Sequence, residues 1–263
     1  MNVRFFPGLH QPADAQYFDR ACISINRVRG RKKAVDCGEV IVDSAAFTEL
    51  NLYGRYRHGV EEYADELYRL HSAGVMKIAI AVAQDYMCEP FMLEKTGLTI
   101  PEHQRLTIER YDALKAALEE RFGVECPFPV MPVLQGYAPS DYVRHIEMYG
   151  DRLDPCMWVG VGSVCKRNGE PEKIVEVLAA IHAVRPDLLL HGFGVKMTAL
   201  LHSAIRDLLY SADSMAWSYA ARRQGRDGNS WQEAKAFTER VQAAASRAIQ
   251  AWQLPLPLWR AAA

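Results

Sequence analysis

Several apolar runs in this chain end in residues that can do chemistry. Val40–Val42 runs into Asp43-Ser44 and then Ala45-Ala46-Phe47, and Ile78–Gln84 runs into Asp85. Val130–Leu134 ends in Gln135-Gly136, Met157–Val161 in Gly162-Ser163, and Leu188–Leu190 in His191-Gly192-Phe193-Gly194. Ala212 is followed by Asp213-Ser214. Taken singly, an Asp or Ser after a strand often caps the next helix, and a Gly there often serves a turn. Three aspartates and a glutamine at successive strand ends form a pattern of a different kind. Brought to one mouth, they suit acid/base or nucleophilic work and the reading of a polar heterocycle. The other histidines weighed, His58, His71, His103, His145, His182 and His202, fall mostly on helical segments, whereas His191 stands at a strand end.

The elements that must carry these residues alternate along the chain. The expected strands are Cys22–Val28, Val40–Asp43, Lys77–Asp85, Pro129–Gln135, Met157–Gly162, Leu188–Gly194 and, more weakly, Ser211–Trp217. Stretches such as IAIAVAQ and MWVGVGS are nearly continuous in apolar residues, as parallel strands buried on both faces are. Between them, Gly59–Ala73 puts Val60, Tyr63, Ala64, Leu67 and Leu70 on one helical face, with Gly74 where a helix stop belongs. Helices are also expected at Pro101–Phe122, Ser140–Tyr149 with Ser140 as its cap, Pro171–Val184, Thr198–Leu209 and Trp231–Gln253. Gln224–Asn229 reads as a loop. Strand then helix, repeated about seven times, predicts an α/β chain. A closed barrel and an open doubly wound sheet both fit, but no glycine-rich nucleotide fingerprint follows an early strand. The expectation is a (β/α)8 TIM-type barrel, one domain over residues 1–263, with chemistry at the C-terminal ends of its strands.

The 263 residues, 49% of them hydrophobic, suffice for one large core. The formal net charge of −1 gives no global signature of nucleic-acid binding. A nucleic-acid partner would need a local patch. Arg27, Arg29, Arg31, Lys32 and Lys33 form one candidate cluster, and Arg222, Arg223 and Arg226, beside Asp213, form another. The six cysteines contain no CxxC pair, which favours free thiols in a reducing, cytoplasmic setting. No run of about 18 apolar residues predicts a membrane span, and the N-terminus shows no signal-peptide core.

In order along Val40 to about Asn229, the motifs resemble those of the queuine/archaeosine tRNA-guanine transglycosylase superfamily. VDSAAF at Val42–Phe47 looks like its DSGGF segment, with both glycines replaced by alanine. QDYMCEP at Gln84–Pro90 is similar to D-E-C-T-P, and the long helix that follows carries Arg105-Leu106 in the matching place. VLQG at Val133–Gly136 resembles V-Q-G, VGVGS at Val159–Ser163 resembles I-G-G-L, and HGFGV at His191–Val195 resembles M-G-V-G. SADSMAWS at Ser211–Ser218, with the arginines after it, resembles the segment that holds the family's nucleophile.

The resemblance implies a pentosyltransferase that exchanges a base on nucleic acid without a cofactor. Asp213 would attack the ribose C1′ and expel guanine, leaving a covalent glycosyl-enzyme, and Asp43 would act as general acid/base. Asp85 would bind the N1/N2 edge of the base. Gln135 and the backbone around Gly160 and Gly162 would meet O6 and the exocyclic substituent. Ser44 and His191 join the expected base site, and Phe47 or Tyr86 could stack on the ring. The target nucleotide must leave the stack for such attack. The tRNA enzymes hold zinc through cysteines after the nucleophile. No cysteine follows Cys165 here, so that metal site cannot be built from thiolates. The compact, zinc-less pattern looks more like the phage- and mobile-element-borne relatives that insert 7-deazaguanines such as preQ0 into DNA, with helper proteins possible. A tRNA substrate, a barrel enzyme acting on a small molecule, and a non-catalytic subunit are the competing readings. Lys196 is the nearest lysine for Schiff-base chemistry, and retention of Asp43 and Asp213 argues against a non-catalytic role.

Overall fold

The computed structural model describes residues 3–123, 125–167 and 169–252. Its strands are β1 (Arg4–Pro7), β2 (Arg20–Ser24), β3 (Val35–Asp43), β4 (Met76–Val82), β5 (Val130–Met131), β6 (Val133–Leu134), β7 (Trp158–Val161), β8 (Leu189–Gly192) and β9 (Ser211–Ser214). They pair in parallel in two sheets, ordered β2-β3-β4-β5 and β1-β9-β8-β7-β6.

The two sheets approach each other twice. Between β5 and β6 lies Pro132, which has no N–H to give a ladder. Its carbonyl still accepts from Gly160 N–H at 2.9 Å, so the backbone passes from one sheet directly to the other. At the other margin, Gly8 and Cys22 form a parallel bridge, and Leu9 N–H donates to the Cys22 carbonyl at 3.1 Å. At the strands' N-terminal ends, Glu39 of β3 accepts from Arg4 of β1 and Arg20 of β2, both at 2.7 Å.

Helices fill the connections. Helices α1 (Ala46–Tyr53) and α2 (Val60–Ser72) follow β3, and α3 (Pro90–Thr96) and α4 (Ile100–Phe122) follow β4. Then come α5 (Pro139–Tyr149), α6 (Pro171–Val184), α7 (Met197–Leu200), α8 (Ser203–Leu208), α9 (Ala216–Arg223) and α10 (Trp231–Trp252). Helix α2 begins where the Glu62 carboxylate takes the Gly59 N–H at 2.8 Å and ends before Gly74, whose φ of +63° suits a residue without Cβ. It buries Tyr63, Ala64, Leu67 and Leu70, the expected face.

Alternation along the strands produces two apolar layers. Phe6, Cys22, Ile41, Ile80, Val82, Met131 and Val133, drawn from strands of both sheets, form one buried cluster. Their strand neighbours Phe5, Ile23, Val40, Val42, Ala81 and Leu134 turn the other way, into a larger cluster with the helices.

Several boundaries depart from expectation. Strand β1 was not foreseen, because RFFP is four residues long and closed by proline. The strand expected over Cys22–Val28 stops at Ser24, and Ile25–Arg27 turns as a 3-10 helix. Pro132 splits the Pro129–Gln135 run. The Thr198–Leu209 segment is two short helices. Ser140 does not cap α5: Pro139 occupies the first turn, and the Asp141 carboxylate takes the N–H groups of Tyr137 and Ala138 at 3.0 and 2.8 Å. Gln253, the expected end of the last helix, lies outside the described residues. No helix among the described residues is long and apolar enough to cross a membrane.

Candidate active site

A cavity of about 770 Å³ opens at the C-terminal ends of the strands. Asp43, Asp85 and Asp213 all line it, with Gln135, Gly162 and Phe47.

Asp43 is the last residue of β3, and its Oδ2 accepts from Ala45 N–H at 3.0 Å. That bond needs a sharp turn, and Ala45 supplies it at φ +66°, a left-handed conformation that disfavours a side chain. Burial, and then the charge of nearby Asp213, push Asp43 up to about 6, against the pull of the Ala45 N–H and the Ser24 hydroxyl. Asp213 sits in β9, opposite Phe6 of β1. Its Oδ1 accepts from Gly194 N–H at 3.0 Å, and its carbonyl accepts from Val195 N–H at 3.0 Å.

Asp85 and Gln135 form the second half of the site. The Gln135 side-chain amide donates to Asp85 Oδ2. Burial raises Asp85 to about 7; the Gln135 amide opposes the shift, and the charges of Asp43 and Glu89 add to it. Gln135 is held from behind. Its N–H donates to His145 Nδ1 at 2.8 Å, and its carbonyl accepts from the Gln104 side chain at 2.7 Å. Burial drops His145 to about 3, so its ring is neutral and Nδ1 is a true acceptor. Gly162 leaves room for this arrangement, because a Cβ there would lie 2.1 Å from Gln135 Nε2. The Ser163 hydroxyl lies 2.8 Å from Gln135 Oε1 and 2.9 Å from Glu89 Oε2, and accepts from Cys88 N–H at 3.0 Å. Gln135 thus ties Asp85 to the Ser163 hydroxyl, whose single proton can go to Gln135 Oε1 or to Glu89 Oε2.

Other expected residues stand further back. His191 is fully buried and does not line the cavity; its Nε2 is 3.4 Å from Asp213 Oδ1, and its Nδ1 is 2.8 Å from Ser211 Oγ. Gly160 also lies behind the wall, where a Cβ would meet the Phe193 ring at 2.4 Å. Ser44 is buried outside the lining, whereas Ala46, the second of the two alanines, lines it. Tyr86 is buried beside Tyr56 and His103 and is not part of the wall. Among the arginines, Arg226 pairs with Glu233, Arg223 lies over the Tyr219 ring, and Arg222 reaches His10 Nε2 at 3.3 Å. All three are exposed, and none lines the cavity.

The cavity also gathers residues that motif spacing did not single out for it: His10, Cys22, Asn26, Arg57, Met87, Cys165, Phe193 and Met215. Arg27, read as part of the first basic cluster, stands on the wall, as does Lys196. His10 follows the unforeseen β1, so no strand end flagged it. Its Nε2 faces the Ser218 hydroxyl at 2.8 Å as well as Arg222, which can only donate. The ring is therefore neutral, in line with burial and the charges of Arg27 and Arg222, which lower its pKa.

No curated protein matches the chain. The family DpdA, DeoxyPurine in DNA protein A, matches residues 4–255, a span that contains every strand and every wall residue of this cavity. On that match the chain belongs to the DpdA family.

Proposed function

We propose that this protein is a base-exchange transglycosylase that replaces guanine in DNA with a 7-deazaguanine, and that one domain over residues 1–263, a closed (β/α)8 barrel, carries the site. The convergence of Asp43, Asp85, Asp213 and Gln135 on one cavity, in a chain of the DpdA family, carries the reading. The Gly8–Cys22 bridge, the crossing at Pro132 and the shared inner cluster support closure of the barrel.

In this mechanism the Asp213 carboxylate attacks C1′ of a flipped-out deoxyguanosine. The bond from C1′ to the base breaks, and its electron pair leaves with guanine. Asp43 gives the departing base a proton, which its elevated pKa of about 6 lets it hold near neutrality. A 7-deazaguanine then enters, Asp43 takes its N9 proton, and N9 displaces Asp213 from C1′. Two displacements preserve the configuration and replace one hard step with two easier ones. Asp85 receives the N1–H/N2–H edge of the base, as a carboxylate can, and Gln135 turns its amide toward O6. The backbone N–H groups that hold Asp43 and Asp213 fix both carboxylates before substrate arrives.

Nucleoside mass spectrometry tests this on DNA and, separately, tRNA from cells that make the protein with a supply of preQ0. A 7-deazaguanine deoxynucleoside that vanishes with Asp213→Ala is the expected result. The modified nucleoside in tRNA alone would move the activity to RNA.

A further inference from the structure

His191 takes no part in the base-exchange steps, yet it is built against Asp213. It lies in β8 opposite Ser211 of β9, and its side chain is fully buried. Three rings meet the imidazole edge to face: Phe193, Trp158 and Phe6, with centroids 4.7, 6.2 and 6.4 Å away. Nε2 makes no hydrogen bond of ordinary geometry among the described residues, and Asp213 Oδ1 lies 3.4 Å from it. Buried polar atoms are nearly always paired, so this one calls for a reason.

The neighbours decide where the ring carries its proton. Trp158 Nε1–H can only donate, and Ser211 Oγ accepts it at 2.7 Å. Ser211 Oγ is also 2.8 Å from His191 Nδ1, a distance that two arrangements fit. In the first, Nδ1–H donates to Ser211. The hydroxyl proton of Ser211, a residue with no exposure, then has no acceptor among the described residues. Nε2 would also turn a bare lone pair toward a carboxylate oxygen. In the second, the indole N–H goes to Ser211, the hydroxyl proton goes to Nδ1, and Nε2–H points at Asp213 Oδ1. Only the second leaves no proton stranded and no lone pairs opposed. It also locks one tautomer, because the bond at one ring nitrogen sets the proton on the other.

We propose that His191 is a positioning residue for the nucleophile: Trp158, Ser211 and His191 form a relay that holds one carboxylate oxygen of Asp213 so that the other attacks C1′. This role rests on the reading of Asp213 as the nucleophile in base exchange. Oδ1 already accepts from Gly194 N–H at 3.0 Å. His191 brings a second donor to the same oxygen, which leaves Oδ2 to bond C1′ as the C1′–N9 electron pair departs with guanine. In the second displacement the same two donors receive the carboxylate as its bond to C1′ breaks. A separation of 3.4 Å suits a contact that tightens in the substrate complex, as catalytic hydrogen bonds often do.

The test is NMR of the full chain with isotope-labelled histidine ring nitrogens at neutral pH, beside single-turnover exchange of labelled 7-deazaguanine into an oligonucleotide. The His191 signals are those that vanish in H191M. Wild type is expected to show a proton on Nε2 and none on Nδ1. D213N should shift the Nε2 signal, and S211A should mix the two tautomers. A proton on Nδ1 in wild type overturns the proposal, as does an Nε2 signal indifferent to D213N. In the exchange assay, H191M should slow the chemical step about ten- to a hundred-fold with little change in KM for the oligonucleotide. H191Q, whose amide can place an N–H near the Nε2 position, should recover most of that loss. S211A should slow wild type several-fold but leave H191Q as it is, because an amide has no tautomer to fix. Thermal melting checks that each variant is folded. A merely structural His191 predicts the reverse: H191M, which refills the aromatic pocket, would outperform H191Q, and S211A would slow both alike. Either result overturns the proposal. The tautomer is read without turnover. A wild-type chain that shows it but exchanges no base would therefore sink the base-exchange reading, and the positioning role with it, while the relay itself stands.

Discussion

Asp43 and Asp213 share a buried space in which two full negative charges are unfavourable, and this divides their roles. The one held near 6 can carry a proton at neutral pH, while the other, whose carboxylate accepts from Gly194 N–H, is the oxygen we propose to attack. Asp213→Asn should lower base exchange at least about a thousand-fold while oligonucleotide binding is retained, as checked by labelled-base incorporation beside anisotropy. Asp85 gives a pH prediction. In the proposed base site the carboxylate form would accept from the base, and burial raises Asp85 to about 7. Affinity for free 7-deazaguanine should therefore fall as pH drops below 7, approaching about ten-fold per unit. Calorimetric titration from pH 8 to 5.5 reads this directly, and D85N should flatten the profile. A wild-type profile flat over that range would remove Asp85 from base recognition.

At the scale of elements, the site depends on backbone that side chains strain or crowd. Two of the non-glycine residues with positive φ, Ala45 and Ser163, lie where strands β3 and β7 deliver their residues to the site. Ala45→Gly relieves that strain and keeps the N–H on Asp43. It should raise stability by about 1 kcal/mol with little change in activity, read by denaturant melts and turnover. Gly162→Ala should act in the opposite way. Its Cβ would overlap Gln135, whose amide must move, so base affinity should fall about ten-fold or more while DNA binding holds. Of the helices, α4 is capped by a side chain, Thr99 accepting from Glu102 N–H, whereas α1, α3 and α6 begin without one. What they contribute is anchorage: α4 supplies Gln104 and α5 supplies His145, and together they lock the Gln135 backbone.

For the whole molecule, the site carries a stability penalty that varies with pH. Asp43 and Asp85 both have folded-state pKa values raised above the ordinary carboxylate range. The folded state thus retains protons between about pH 4 and 7 that the unfolded chain has lost. The stabilisation tied to those protons is full below the ordinary value and disappears as pH rises through 6 and 7. Glu49 works the other way: the Arg57 guanidinium holds it at about 2, so its contribution is present at neutral pH and lost in acid. A chain with D43N and D85N together should melt several degrees above wild type at pH 8, with the gap closing toward pH 4. A gap that stays constant with pH would show that these carboxylates do not titrate in the folded state as their burial implies.

Periodicity and turn chemistry make much of this legible in the sequence. The parallel α/β alternation, the α2 face with its Gly74 stop, and the order of Asp43, Asp85, Gln135 and Asp213 at strand ends could be read because they are local: a short apolar run and the polar residue after it are adjacent in the chain. Long-range relations could not be read in this way. Strand β1 is too short and too close to a proline to show a period, so nothing in the sequence marks His10 as a wall residue. The place of His191 after an apolar run does not tell that it is fully buried, with Nε2 3.4 Å from Asp213 Oδ1. The pairing of Gln135 with Asp85 and the raised pKa values of Asp43 and Asp85 depend on distances between residues far apart in sequence. Burial and through-space charge set those properties, and both exist only once the strands and helices have packed.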